Sequence, residues 1–177
     1  MRSVDPAHWA QIEHRVLNVV AQQGFMKHVG AEVLHLAPGE CTTTVAHRPE
    51  LLQNLGYFHG GCIAFLLDNA TAIAASTLIR AGQAVLTAEY KLNFLNPGRG
   101  ERLICRARVI KPGRTLSVVT GVVYAVDEGA EKHVATALAT IAVVTLPAQR
   151  GRMFFFEKKN QKTFALGQSV AAEKLNG

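Results

Sequence analysis

One carboxylate in this chain stands alone in an apolar run, and a glycine pair stands two turns before it. The stretch is Gln53-Asn54-Leu55-Gly56-Tyr57-Phe58-His59-Gly60-Gly61, continued by Cys62-Ile63-Ala64-Phe65-Leu66-Leu67-Asp68-Asn69. The run after Gly60 reads as a long helix. A helix N-terminus offers unpaired backbone N–H groups and the positive end of a dipole. A lone acid on an apolar helix is costly to bury ionised unless something pairs with it or uses it. Donors for a developing oxyanion and an acid to activate a nucleophile are what acyl transfer needs.

The elements that must position these groups follow from periodicity. Asp5 as N-cap and Pro6 at the first helical position open an amphipathic helix from Pro6 to Gln23. Its apolar residues Trp9, Ile12, Val16, Leu17 and Val20 recur at three- and four-residue steps, and Gly24 is expected to stop it. Gly30 to Leu36 and Glu40 to His47 form a hairpin around Ala37-Pro38-Gly39. Arg48 to Phe58 is a loop, and Gly60 to Arg80 the long helix, ended near Gly82. Four more strands follow: Ala84 to Leu95, Arg102 to Ile110, Thr115 to Val126 and His133 to Leu146. In the first of these, strict alternation puts Leu86, Ala88, Tyr90, Leu92 and Phe94 on one face and Thr87, Glu89, Lys91 and Asn93 on the other. Short turns between alternating strands imply an antiparallel sheet with one face covered. Only the Gly60–Arg80 helix is long and apolar enough to cover it. The expected class is α+β: a hotdog fold, a central helix wrapped by a curved antiparallel sheet of about six strands, plus an N-terminal helix.

Composition narrows the function. The chain has 177 residues, 49% of them apolar and 18% charged, which favours a folded domain over disorder. Of the net charge of +6, the residues up to Pro147 carry 13 Lys/Arg against 11 Asp/Glu, or +2, and the remaining +4 lies in the tail. A cluster of Arg99, Arg102, Arg106, Arg108, Lys111 and Arg114 against Glu101 is a candidate local anion site, not the long basic surface that nucleic acid needs. Three widely separated cysteines, Cys41, Cys62 and Cys105, fit neither a disulfide framework nor a zinc site, and suit a reducing, cytoplasmic compartment. The apolar run from Cys62 to Ile79 contains Asp68, Asn69, Thr71, Ser76 and Thr77, so it reads as a buried helix and not a membrane span. The seven histidines show no metal-ligand spacing, and neither a Walker loop nor a Gly-x-Ser-x-Gly motif is present.

His59-Gly60-Gly61, then Asp68, then Asn93-Phe94-Leu95-Asn96-Pro97, then Val109-Ile110-Lys111-Pro112-Gly113-Arg114 together resemble the PaaI-type acyl-CoA thioesterases of the hotdog superfamily, over roughly residues 31–144. The resemblance implies hydrolysis of an acyl-CoA to a free acid and coenzyme A, with no metal or redox cofactor. It makes Asp68 the catalytic carboxylate, as general base or as nucleophile, and the Gly60 N–H a donor to the thioester oxygen. It gives Gln53, fifteen residues before the acid, the role of positioning amide. Gln at that place is similar to the Arthrobacter-type hydroxybenzoyl-CoA thioesterases, and Asn54 stands one step away. Thr87 takes the place of a Ser or Thr that holds the attacking water. Lys111, Pro112, Gly113 and Arg114 lie where the coenzyme A phosphates approach. His59, Gly61, Asn54, Tyr57 and Phe58 complete the expected substrate contacts. The family pairs its subunits, often as two dimers in a tetramer, with sites formed between chains. The domain reading is then a packing helix over residues 1–29, a hotdog thioesterase domain over 30–147, and a basic tail over 148–177 that is flexible or docked on a partner subunit.

Each assignment has a plainer rival. The rival for Asp68 is a structural acid hydrogen-bonded to a His or a backbone turn across an interface, and for His59 a cap of the loop–helix junction. Tyr57 and Phe58 suit an acyl pocket or a dimer interface, and the basic cluster suits a solvated strand face. A non-catalytic acyl-CoA-binding hotdog protein and a hotdog dehydratase are the alternative functions. A DNA-linked sensor is disfavoured, because the single short helix before Gly30 is too little for a helix-turn-helix.

Overall fold

The computed structural model describes residues 5–147; the expectations for the tail fall outside them. Helix α1 spans Pro6–Ala21 and α2 spans Gly24–Val29. Strands β1 to β6 are Ala31–Ala37, Glu40–Ala46, Gln83–Phe94, Arg102–Lys111, Leu116–Asp127 and Ala130–Thr145, with the long helix α3, Gly60–Ser76, between β2 and β3. All pairings are antiparallel, in the order β1-β2-β4-β5-β6-β3. One face of this sheet wraps α3, which is the hotdog arrangement. Among the described residues no helix is long and apolar enough to cross a membrane.

The core lies between α3 and the sheet. Leu66, Leu67, Ala70, Thr71, Ile73, Ala74 and Ala75 of the helix are buried, against Val45, Leu103, Cys105, Val119, Val123, Ala135 and Ile141 of the strands. The tightest approach is at Gly121 on β5, where a Cβ atom would stand 2.7 Å from Cδ2 of Leu67 and 3.2 Å from Cγ2 of Thr71. A side chain there would push the helix off the sheet.

Three local expectations need correction. Gly24 does not end the N-terminal segment; it begins α2, which closes on Gly30 in the left-handed region (φ 73°), where the Gly30 N–H bonds to Met26 and Lys27 carbonyls. Asp5 sits at the N-cap of α1 but makes no side-chain capping bond. Helix α3 stops at Ser76 rather than Arg80. There the Thr77 hydroxyl bonds the Ala74 carbonyl and accepts the Gly39 N–H at 2.7 Å, while Arg15 Nη2 donates to the carbonyls of Ile79 (2.8 Å) and Ser76 (3.4 Å). Side chains thus satisfy carbonyls that a longer helix would have bonded itself.

The face assignment on β3 also changes. The register against β6 shifts between Thr87 and Glu89, so Ala88 is an extra, bulged residue that inverts the alternation. Val85 and Thr87 therefore share a face with Tyr90, Leu92 and Phe94. Thr87, Tyr90, Leu92 and Phe94 stand opposite the buried Ile141, Ala139, Ala137 and Ala135. Leu86, Glu89, Lys91 and Asn93 look the other way. The bulge turns Thr87 to the helix side of the sheet, where strict alternation would have sent it outward.

Candidate active site

Asp68 sits at mid-height on α3. Gly61, Phe65, Asp68 and Ala72 follow one another at steps of four, three and four, and form the least covered stripe of the helix. The residue is half-buried, yet its Oδ1 is fully buried and has no hydrogen-bond partner among the described residues. A buried polar atom without a partner is rare in a folded protein, because its lost hydration goes uncompensated. The Asp68 main-chain carbonyl is occupied by the Thr71 hydroxyl at 3.0 Å, so the free acceptor is the carboxylate itself.

The start of α3 is organised by His59. Its Nδ1 accepts the Gly61 N–H at 2.9 Å, and its carbonyl accepts the N–H of Cys62 (2.9 Å) and Ile63 (3.3 Å). The ring is an N-cap whose neutral tautomer carries its proton on Nε2. The capping alternative for His59 is what the geometry shows. The Gly60 N–H finds no acceptor among the described residues. The Phe94 ring lies beside it, with Cζ 3.4 Å from where a Gly60 Cβ would be.

Gln53 begins a closed turn. Its N–H donates to the Tyr57 carbonyl (2.8 Å), the Gly56 N–H returns to its own carbonyl (2.9 Å), and its side-chain Oε1 accepts the Leu55 N–H (2.9 Å). Among the described residues the side-chain NH₂ of Gln53 has no partner, so it can donate to a ligand. Asn54 is exposed and Tyr57 half-buried. Phe58 is a core residue, 3% exposed, packed near Gly98 with its N–H bonded to the Gly98 carbonyl at 2.8 Å. The Leu52–Phe58 bridge and the Gly98 bond hold its backbone in place, and its ring is buried within the chain.

The basic cluster is spread out. From Arg102 to Lys111 it runs the length of β4, roughly 30 Å. Arg106 makes two bonds to Glu131 (2.7 and 2.6 Å) and lies over the Tyr124 ring, and Arg108 pairs with Glu40 at 3.6 Å. The turn Lys111-Pro112-Gly113-Arg114 is exposed. It stands at the end of the sheet where Val109 bonds Gly39 and Gly39 bonds Thr77, the C-terminal end of α3. Within one chain it is therefore at the far end of the helix from Gly60.

Other nucleophiles are absent from the candidate set. Burial pushes the Cys62 thiol up to about 11, against a small opposing effect of Arg48, and the Cys41 thiol up to about 12. Cys105 is raised as well by its burial. None carries thiolate at neutral pH. Among the described residues no group of three His, Cys, Asp or Glu is placed to hold a metal. A cavity of about 460 Å³ between α1 and the end of α3, lined by Trp9, Ile12, Arg15 and Leu78, contains none of the candidate residues.

Sequence reasoning passed over two aromatic side chains. Phe65 stands one turn before Asp68 on the same stripe, and Phe25 of α2 packs edge-on against it, with ring centroids 4.8 Å apart. The three-residue step from Phe65 to Asp68 is the signal that would have found the first. Nothing in the spacing finds the second.

Comparison with known proteins agrees with this architecture. Residues 55–132 match the thioesterase superfamily. The solved structure of a thioesterase family protein from Silicibacter pomeroyi is 40% identical, with a TM-score of 0.74 over 77% of this chain and 98% of that one. The PaaI protein of E. coli, from the phenylacetic acid degradation operon, shares 22% identity at a TM-score of 0.66 over 78% and 96% of the two chains, a likeness of fold alone. Human acyl-coenzyme A thioesterase 13 is 29% identical over 82 residues, which is 46% of this chain and 58% of that protein. Across the curated relatives the match spans from 58% to 71% of their length. With a sheet-wrapped helix, an acid at its middle and 40% identity across nearly all of a solved relative, this chain belongs to the thioesterase superfamily.

Proposed function

We propose that the protein hydrolyses an acyl-CoA thioester to a free acid and coenzyme A, in a site completed by a second copy of the chain. The observation that carries the proposal is the buried, unpartnered Oδ1 of Asp68 on the open stripe of α3. No hydrogen bond among the described residues occupies this carboxylate, and its accessible edge is left to take a proton from water or, as a nucleophile, to attack a carbonyl carbon. Human acyl-coenzyme A thioesterase 13 supports coenzyme A as the leaving group.

The need for two chains follows from helix geometry. Gly60 and Asp68 are eight residues apart, which is roughly 12 Å along the axis. One thioester carbonyl cannot meet both within one subunit. Strand β3 is one of the two edges of the sheet and, among the described residues, leaves its outer hydrogen-bonding row open. It also exposes Leu86, Tyr90 and Phe94. Antiparallel pairing of two such edges sets the helices side by side in opposite directions, and brings Gly60 of one chain toward Asp68 of the other. A dimer, or two dimers in a tetramer, is the assembly this reading requires.

In that site the Gly60 N–H polarises the thioester oxygen and holds it as negative charge develops. Gln53 supplies its free NH₂ to the substrate, and Thr87, on the helix side of β3, orients the water. As base, Asp68 takes a proton from water while the hydroxyl attacks the carbonyl carbon. As nucleophile, it attacks directly and water then cleaves the anhydride. In both, coenzyme A leaves as the thiolate. The Lys111–Arg114 turn is the proposed phosphate contact, reached from a neighbouring chain.

Thiol release from a panel of acyl-CoA esters tests the function. Turnover by the wild type that falls at least ~10³-fold in Asp68→Asn is the expected result. Tight binding of esters with no thiol release would instead mark a non-catalytic acyl-CoA-binding protein.

A further inference from the structure

Helix α2 has only six residues, yet it is held firmly. Met26 and Val29 are buried, Gly30 caps it, and Arg48 Nη2 donates to the carbonyls of His28 (2.9 Å) and Val29 (2.7 Å). What this anchored turn presents is Phe25, which is 61% exposed. Its ring meets Phe65 at 77°, edge to face. An exposed phenyl ring with no core role, fixed on a rigid turn, is a surface waiting for an apolar neighbour.

Its place relative to Asp68 identifies that neighbour. On the open stripe of α3, Phe65 precedes the acid by one turn and Ala72 follows it by one turn. The large side of the stripe is aromatic and the other side is small. A thioester with its carbonyl at Asp68 has an apolar surface for its acyl group in one direction along the stripe, across Phe65 and onto Phe25.

We propose that Phe25 and Phe65 form one wall of the acyl pocket, so that α2 sets which acyl groups are accepted. This rests on the thioesterase reading above. The wall rewards acyl groups long or broad enough to reach the rings and leaves the smallest acyl groups unaffected. The gain from packing on an aromatic pair is on the order of 3- to 10-fold in kcat/KM.

The test compares acetyl-, hexanoyl-, decanoyl- and benzoyl-CoA with the wild type, Phe25→Ala and Phe65→Leu. The proposal expects kcat/KM for the larger esters to fall by roughly 3- to 10-fold in Phe25→Ala, with acetyl-CoA within twofold of the wild type. A uniform loss across the panel would assign the pair a structural role and overturn the proposal. So would an unchanged panel, or dissociation of the oligomer by Phe25→Ala in sedimentation velocity, which would make Phe25 an interface residue. A wild type that releases no thiol defeats the hydrolase reading separately. In that event calorimetric binding of the corresponding non-cleavable thioether analogues reads the same preference, and equal loss for all analogues in Phe25→Ala overturns the wall.

Discussion

His59 Nδ1 takes the N–H of Gly61 at 2.9 Å and leaves the N–H of Gly60, one residue earlier, without a partner. The cap therefore does two things. It consumes the donors of the first turn that would otherwise need water, and it leaves one donor open at the helix end. Replacing Gly60 by proline is a clean probe of that donor. Gly60 is the first helical residue, where proline fits, and His59 already has the extended backbone (φ −61°, ψ 139°) that a following proline demands. Gly60→Pro is expected to keep the fold by circular dichroism and to lower kcat by ~10²–10³.

In the proposed site, Asp68 places function against stability. Its buried, unpaired carboxylate oxygen is a burden on the fold. Asp68→Asn is expected to abolish thiol release while leaving stability unchanged or raising it by about 1 kcal/mol, read from urea midpoints. A large loss of stability in this variant would instead show that the carboxylate has a structural partner.

Gly121 is where α3 touches the sheet most closely. Leu67 is itself locked in the core at 1% exposure, so the clash with a new Cβ is not relieved by rotating its end away. Gly121→Ala is expected to lose about 1–3 kcal/mol in denaturant unfolding. Because it displaces the helix that carries Asp68, activity should fall more than the loss of folded protein explains.

The Arg106–Glu131 pair predicts a small acid dependence of stability. The two hydrogen bonds from Arg106 hold the Glu131 carboxyl below the usual carboxylate range. A depressed folded value means the contribution is present above the unfolded carboxylate range and is lost as pH falls through the folded one. Both side chains are well exposed, so the contribution is at most about 1 kcal/mol. The difference in melting temperature between wild type and Glu131→Gln should be small at pH 7 and shrink as the pH is lowered through and below the usual carboxylate range.

Much of the fold was legible because the elements that build it are strongly patterned. The alternation of Leu103, Cys105 and Ala107, and the continuous apolar surface from Cys62 to Ala75, each admit one placement. The points that escaped depend on single residues in tertiary context. Ala88 carries no mark of a bulge, yet it decides which way Thr87 looks. Gly24 reads as a stop, and only the burial of Met26 and Val29 makes it a start. Phe58 adjoins the motif residue His59 but is buried in the core, with its N–H bonded to Gly98, forty residues away. The candidate groups themselves were visible as residue types. Their separation along the helix was visible too, because eight helical steps have a fixed length.

That fixed length has a genetic consequence. In the two-chain site proposed above, a homodimer lacking the acid and a homodimer lacking the donor each carry the same lesion in both sites. Mixed in one dimer, the two chains divide the damage unevenly. One site receives both lesions, and the other receives the intact Asp68 of one chain and the intact Gly60 of its partner. Co-expressed Asp68→Asn and Gly60→Pro chains would therefore complement each other, restoring one working site in every mixed pair.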